Sequence, residues 1–151
     1  MSSDLCYGPR MRPPQREPVG LGLARTAKVV SRAFDDALVE AGGSLPTWLV
    51  LVSLQQGRPA AQRQLAEAVG VEGPTLTHHL NRMEAAGLVT RTRDPANRRA
   101  HRVELTEAGE EAFRRLVGAV AAFDRRLRRG LSRAQVEELE DLLGRLRENV
   151  A

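Results

Sequence analysis

Cysteine is almost missing from this 151-residue chain: Cys6 stands alone, so no intrachain disulfide can form. Aromatic residues make up only 3% of the sequence, so a core has to be built from Leu, Val and Ala, which suits packed helices better than a β-sandwich. No apolar run is long enough to span a bilayer. The opening stretch MSSDLCYGPRMRPPQREP lacks the apolar centre of a signal peptide. The expectation is a cytoplasmic protein with no membrane partner. His78, His79, His101 and Cys6 show neither Cys-x-x-Cys nor His-x-x-x-His spacing, so no metal site is expected. A glycine-rich phosphate loop and a nucleophile–base set are also missing, which argues against an enzyme and against a bound cofactor.

Lysine is the last scarcity. Lys28 is the only Lys among 23 basic residues, and the rest are Arg. A GC-rich genome would produce this bias, but Arg also suits phosphate and guanine, which it can grip with two parallel hydrogen bonds. Net charge is +4, a weak sign by itself. Its distribution says more. Between Leu88 and Leu105, Arg91, Arg93, Arg98, Arg99 and Arg102 face only Asp94 and Glu104, a net of +3. From Thr106 onward acids and bases cancel.

Periodicity divides the chain. Residues 1–18, with Pro13, Pro14 and Pro18, read as a flexible tail. Leu23, Ala27, Val30, Phe34 and Leu38 recur at helical spacing and predict a first helix over about Val19 to Ala41, stopped by Gly42-Gly43. Ser44 caps a second helix with Pro46 in its first turn, carrying Trp48, Leu49, Leu51, Val52 and Leu54 and ending near Gly57. A third, about Ala61 to Val69, buries Leu65 and Val69. Gly70 to Gly73 form a tight turn, and Pro74 opens a fourth helix that ends before Gly87. Helix, short turn, helix is a helix-turn-helix. Leu88 to Arg93 and Ala100 to Leu105 alternate as strands around the turn-rich Asp94-Pro95-Ala96-Asn97. Thr106 caps a fifth helix with Phe113, Leu116, Val117, Val120, Phe123 and Leu127 on one stripe, ended by Gly130. Ser132 and Gln135 form a capping box for a sixth, which shows Val136, Leu139, Leu142, Leu143 and Leu146.

The fold class is therefore mainly α with a small β-wing, a winged helix-turn-helix flanked by terminal helices. Its regions are a tail (1–18), an N-terminal dimerisation helix (19–43), the winged unit (44–106) and C-terminal dimerisation helices (107–151). The assignment to a homodimer rests on apolar stripes that a single copy would leave poorly covered. In the fourth helix Leu76, Leu80 and Met83 share the core face. Thr75, Thr77, His78, Asn81 and Arg82 lie opposite, able to reach base edges or phosphates, with Asn suited to adenine. Gln62, Arg63 and Gln64 are placed for phosphates. Arg98 at the hairpin tip is assigned to the minor groove, with Arg99 packing back towards Asp94. A solvated face is the plainer reading of the helix alone; beside an arginine-rich hairpin, duplex DNA is favoured. Arg125, Arg126, Arg128 and Arg129, balanced by nearby acids, read as a solvated face.

The string LNRMEAAGLVTRTRDPANRRAHRVELTEAGEEAF resembles the MarR family of winged-helix transcription regulators, and the likeness extends over about Val19 to Val150. Met83-Glu84-Ala85-Ala86-Gly87-Leu88-Val89-Thr90-Arg91 stands for the family's Leu-Glu-x-x-Gly-Leu-Val-x-Arg, Asp94 to Arg99 for Asp-x-x-Asp-Arg-Arg with Asn97 in place of an Asp, and Leu105 to Gly109 for Leu-Thr-x-x-Gly. The resemblance implies a homodimeric, ligand-responsive repressor on a palindromic operator of double-stranded DNA. It further implies an effector pocket for a small aromatic or anionic ligand, for which Trp48 and His79 are the candidate lining residues. His79 falls near the core side of the helical wheel, where a buried and hydrogen-bonded histidine is the plainer reading. Peroxide sensing through Cys6, known among relatives, is disfavoured by the polar, proline-rich surroundings. The alternative from another class is a winged-helix module that binds proteins without sequence-specific DNA recognition.

Overall fold

The computed structural model describes residues 16–56, 62–93 and 101–151. Cys6, Asp94, Asn97, Arg98, Arg99 and the tail up to residue 15 lie outside the described residues, as do the expected ends at Gly57, Ala61 and Ala100. Six helices and one two-stranded sheet follow in the order α1 (Val19–Glu40), α2 (Leu45–Gln55), α3 (Gln62–Val69), α4 (Gly73–Ala85), β1 (Val89–Arg93), β2 (His101–Leu105), α5 (Glu107–Leu127) and α6 (Arg133–Glu148). The chain forms two compact units, Met1–Ala33 and Phe34–Ala151, with the division inside α1.

In the first unit, the amides of Leu21 and Gly22 both bond to the Pro18 carbonyl, and Glu17 pairs with Arg25 at 2.5 Å. Val19, Leu21, Leu23 and Val29 are exposed there.

The second unit is built around α2. This helix is apolar on every side, the pattern of an element buried all round. Val50 and Leu51 are fully buried, and α2 packs on α3, α4, α5 and β2. Its start follows the sequence: the Ser44 Oγ accepts from the Thr47 amide at 3.3 Å and Pro46 sits in the first turn. Leu65, Ala66 and Val69 from α3, Leu76, Leu80 and Met83 from α4, Val89 and Val103 from the sheet, and Leu38, Ala112 and Leu116 complete the core. The expected core faces of α3 and α4 are thus the observed ones. α4 starts one residue before Pro74, with Glu72 at the cap position and no side-chain capping bond.

Two departures concern the later helices. On α5 the buried line runs Gly109, Ala112, Leu116, Phe123, while Val117 and Leu127 of the expected stripe are exposed. Small residues let α5 approach closely on one side of that stripe, and the larger apolar groups on the other side stay uncovered. On α6 the capping box forms as expected, with Ser132 and Gln135 exchanging backbone and side-chain bonds. Yet none of its residues is buried, and Leu139, Leu142, Leu143 and Leu146 keep 37–46% of their surface exposed.

Candidate nucleic-acid interface

With Leu76, Leu80 and Met83 locked into the core, the opposite face of α4 has to look outward, because side chains three and four apart share a side. Thr75, His78, Asn81 and Arg82 are exposed and Thr77 is half-buried. Arg82 makes no ion pair with a described residue, and the His78 ring meets the His79 ring edge on, with 6.0 Å between centroids. On α3, Gln64 is exposed and Arg63 pairs with Glu67 at 3.3 Å, a solvent-exposed contact worth little to stability.

Not every polar residue on this surface is free for a ligand. Gln62 donates from Nε2 to the Thr77 hydroxyl at 2.6 Å, and that hydroxyl donates to the Gly73 carbonyl at 3.0 Å. The pair ties α3 to α4 across the turn. Asn81 is likewise engaged: its Oδ1 accepts from Nη2 of Arg91 at 2.6 Å. Arg91 also donates to Oε2 of Glu84, from Nε at 3.1 Å and from Nη2 at 2.5 Å. One arginine on β1 therefore holds a carboxylate and an amide one helical turn apart on α4.

The sheet explains how that arginine gets there. β1 and β2 pair antiparallel, with Val89 opposite Leu105, Arg91 opposite Val103 and Thr92 opposite Arg102. Alternation turns Val89, Arg91, Val103 and Leu105 inward and leaves Thr90, Thr92, Arg102 and Glu104 exposed. Arg91 keeps only 20% of its side chain exposed, and Arg102 reaches Glu104 at 4.0 Å on the outer face.

His79 and Trp48 do not meet. Trp48 is half-buried and stacks on Phe113, with centroids 5.8 Å apart and planes 9° from parallel, which makes it part of the packing between α2 and α5. His79 is half-buried rather than fully enclosed, since its ring borders a cavity of about 210 Å³ with Ser44, Thr47, Arg82, Met83 and Leu88. That cavity does not include Trp48. The reading of His79 as a buried, satisfied core histidine is therefore corrected, because α4 turns that position towards the α1–α2 connection rather than into the apolar centre.

This geometry has known counterparts. The model of the MarR family matches residues 44–101, the span that holds α2, the helix-turn-helix and β1. The transcriptional repressor CouR, bound to a 23-mer DNA duplex, is 27% identical over 85% of this chain and 92% of its own, with a TM-score of 0.78. A MarR-family transcriptional regulator from Rhodococcus sp. RHA1 is 29% identical over 83% and 89%, with a TM-score of 0.71. Residues 44–101 carry a MarR-family domain. CouR from Rhodococcus jostii RHA1 bound to p-coumaroyl-CoA is also similar, at 29% identity over 84% and 90% and a TM-score of 0.70. These proteins are transcription regulators, not enzymes.

The MarR motif now has a physical reading in this chain. Glu84 and Arg91 are the second and last residues of its first segment, and they clamp α4 to β1. Between them Gly87 takes φ +71°, a conformation that L side chains rarely adopt, so the chain can reverse and the Leu88 amide can bond to the Met83 carbonyl at 2.9 Å. In the Leu-Thr-x-x-Gly segment Thr106 caps α5 by accepting from the Gly109 amide at 3.0 Å, and its hydroxyl donates to the Gly87 carbonyl at 2.5 Å. A Cβ on Gly109 would collide with the Leu88 carbonyl, so glycine sets how closely α5 approaches the turn.

Reading the sequence did not single out Arg91 and Glu84 as partners. A signal was present: opposite charges flanking a Gly turn, one on a helix and one on the inward-facing register of the following strand.

Proposed function

We propose that this chain is a sequence-specific, DNA-binding repressor of the MarR family that works as a homodimer on an inverted-repeat operator. The observation that carries this reading is the division of α4: one face is built into the core, and the other offers Thr75, His78, Asn81 and Arg82 outward beside a basic wing. The likeness to a repressor solved on a DNA duplex supports it. In a twofold dimer two such helices enter successive major grooves about 34 Å apart. Gln62 and Gln64 lie at the edge of that surface, Gln62 bracing Thr77. Arg98 is assigned to the minor groove and Arg99 to packing back on the wing towards Asp94, on the strength of the Asp94–Arg99 segment. Residues 19–43 and 107–151 are assigned to dimerisation, which the uncovered leucines of α6 support. Repression is steric exclusion of polymerase. A small aromatic or anionic effector releases it by binding more tightly to a dimer whose winged units are wrongly spaced for DNA.

Fluorescence anisotropy tests this directly. A duplex taken from upstream of the chain's own gene is expected to bind about 1,000-fold or more tightly than a scrambled duplex at the same salt. Equal affinity for the two would defeat the proposal.

A further inference from the structure

We infer that Asn81 is turned so that its NH₂ group, rather than its amide oxygen, leads into the major groove, favouring guanine over the adenine that a free asparagine prefers. The inference rests on the DNA-binding reading above and deepens it.

An unconstrained Asn recognises adenine with both ends of its amide: Oδ1 accepts from the N6 amino group while Nδ2 donates to N7. Here the oxygen is held back: one of its two lone pairs accepts from Arg91, which turns that end of the amide towards β1. The Arg91 guanidinium lies 2.6 Å from the amide oxygen of Asn81. A guanidinium has donors and no acceptor, so the atom facing it must be the oxygen, and the orientation of the amide is fixed by chemistry rather than by choice. Arg91 is held in turn by two bonds to Glu84 and is largely buried, so it cannot follow Asn81 outward. The NH₂ group of Asn81 is the end left wholly unengaged, on an exposed residue and donating to no described residue.

The neighbours push the same way. Arg82 can only donate, and it is exposed with no described acid partner. The Thr77 hydroxyl has given its proton to the Gly73 carbonyl and offers no donor. The centre of the outward face therefore presents donors from Asn81 and Arg82. A donor pair needs an edge with adjacent acceptors, and guanine O6 and N7 are the only such pair a base shows in the major groove.

The test is selection of binding sites from a randomised duplex library, read as base frequency at each position, with the full-length protein. Wild type is expected to return a half-site motif with guanine at one position that depends on residue 81. N81D keeps an acceptor for Arg91 but removes the donor, and is expected to reduce the guanine preference there by about fivefold to tenfold, the scale of losing part of a two-bond contact. R91Q releases the amide oxygen and is expected to move the preference at that position towards adenine. Circular dichroism of both variants verifies folding, and N81D supplies the answer if R91Q unfolds. Adenine at that position in the wild type would overturn the inference, and so would an N81D motif identical to wild type with affinity lowered uniformly, the mark of a phosphate contact. A wild type that enriches no motif overturns the DNA-binding reading itself, and the two failures are thereby distinguished.

Discussion

Gly109 illustrates how much a single missing methyl can decide. In an exposed helix, Gly→Ala normally stabilises, since alanine loses less backbone freedom on folding. At Gly109 the added carbon meets the Leu88 carbonyl, which belongs to backbone and cannot swing away. G109A is therefore expected to destabilise by about 1–3 kcal/mol in urea unfolding, the usual range for an overpacked site. Gly118, on the same helix with open space around it, is the control: G118A should gain about 0.5–1 kcal/mol. If both substitutions shift the midpoint the same way, the close approach of α5 to the Gly87–Leu88 turn is not what glycine is there for. The residue scale is also where the sequence was least legible. That Thr75, Thr77, His78, Asn81 and Arg82 share an outward face follows from periodicity alone. That Thr77 is bound to Gln62, and Asn81 to Arg91, does not, because those pairings depend on how α3 and β1 are brought against α4. A helical wheel sees one helix. The same limit misjudged His79, whose neighbours come from the α1–α2 connection.

Among elements, the ends were legible and the coverings were not. Ser44, Thr106 and Ser132 all cap the helices their spacing announced, since capping is a local bargain between a side chain and the next three amides. Thr106 serves two elements at once, capping α5 and bonding to the Gly87 carbonyl ahead of β1. T106A is thus expected to lose about 1–2 kcal/mol of stability by thermal or urea unfolding, and T106S, which keeps the hydroxyl, should lose much less. A T106A protein as stable as its parent would show that neither bond matters. Which leucines of α5 and α6 end up covered could not be read so simply. The periodic stripes are present in both, yet coverage depends on what is packed opposite, and among the described residues α6 finds nothing to bury its stripe.

For the whole molecule, the basic and apolar surfaces make separable predictions. If α6 completes a dimer, sedimentation equilibrium should find two copies together at micromolar concentration, and the double variant L139E/L143E should sediment as one copy and bind operator at least tenfold more weakly, since it loses the second half-site. An unchanged mass for that variant would remove α6 from the interface. The positive wing predicts a steep salt response, with log affinity falling by about 0.9 per phosphate neutralised for each unit of log salt. R98A should flatten that slope by about one such step and weaken binding, while R129A, in the turn that follows α5, should leave both untouched.

The strap from β1 to α4 also bears on how such a protein diverges. Arg91 is anchored by Glu84 whatever stands at position 81, and position 81 is exposed. Asp, Ser or Gln there would meet the same guanidinium without disturbing the core. Duplicated copies of this gene can accordingly drift to new targets one side chain at a time, with the scaffold that aims the side chain inherited unchanged.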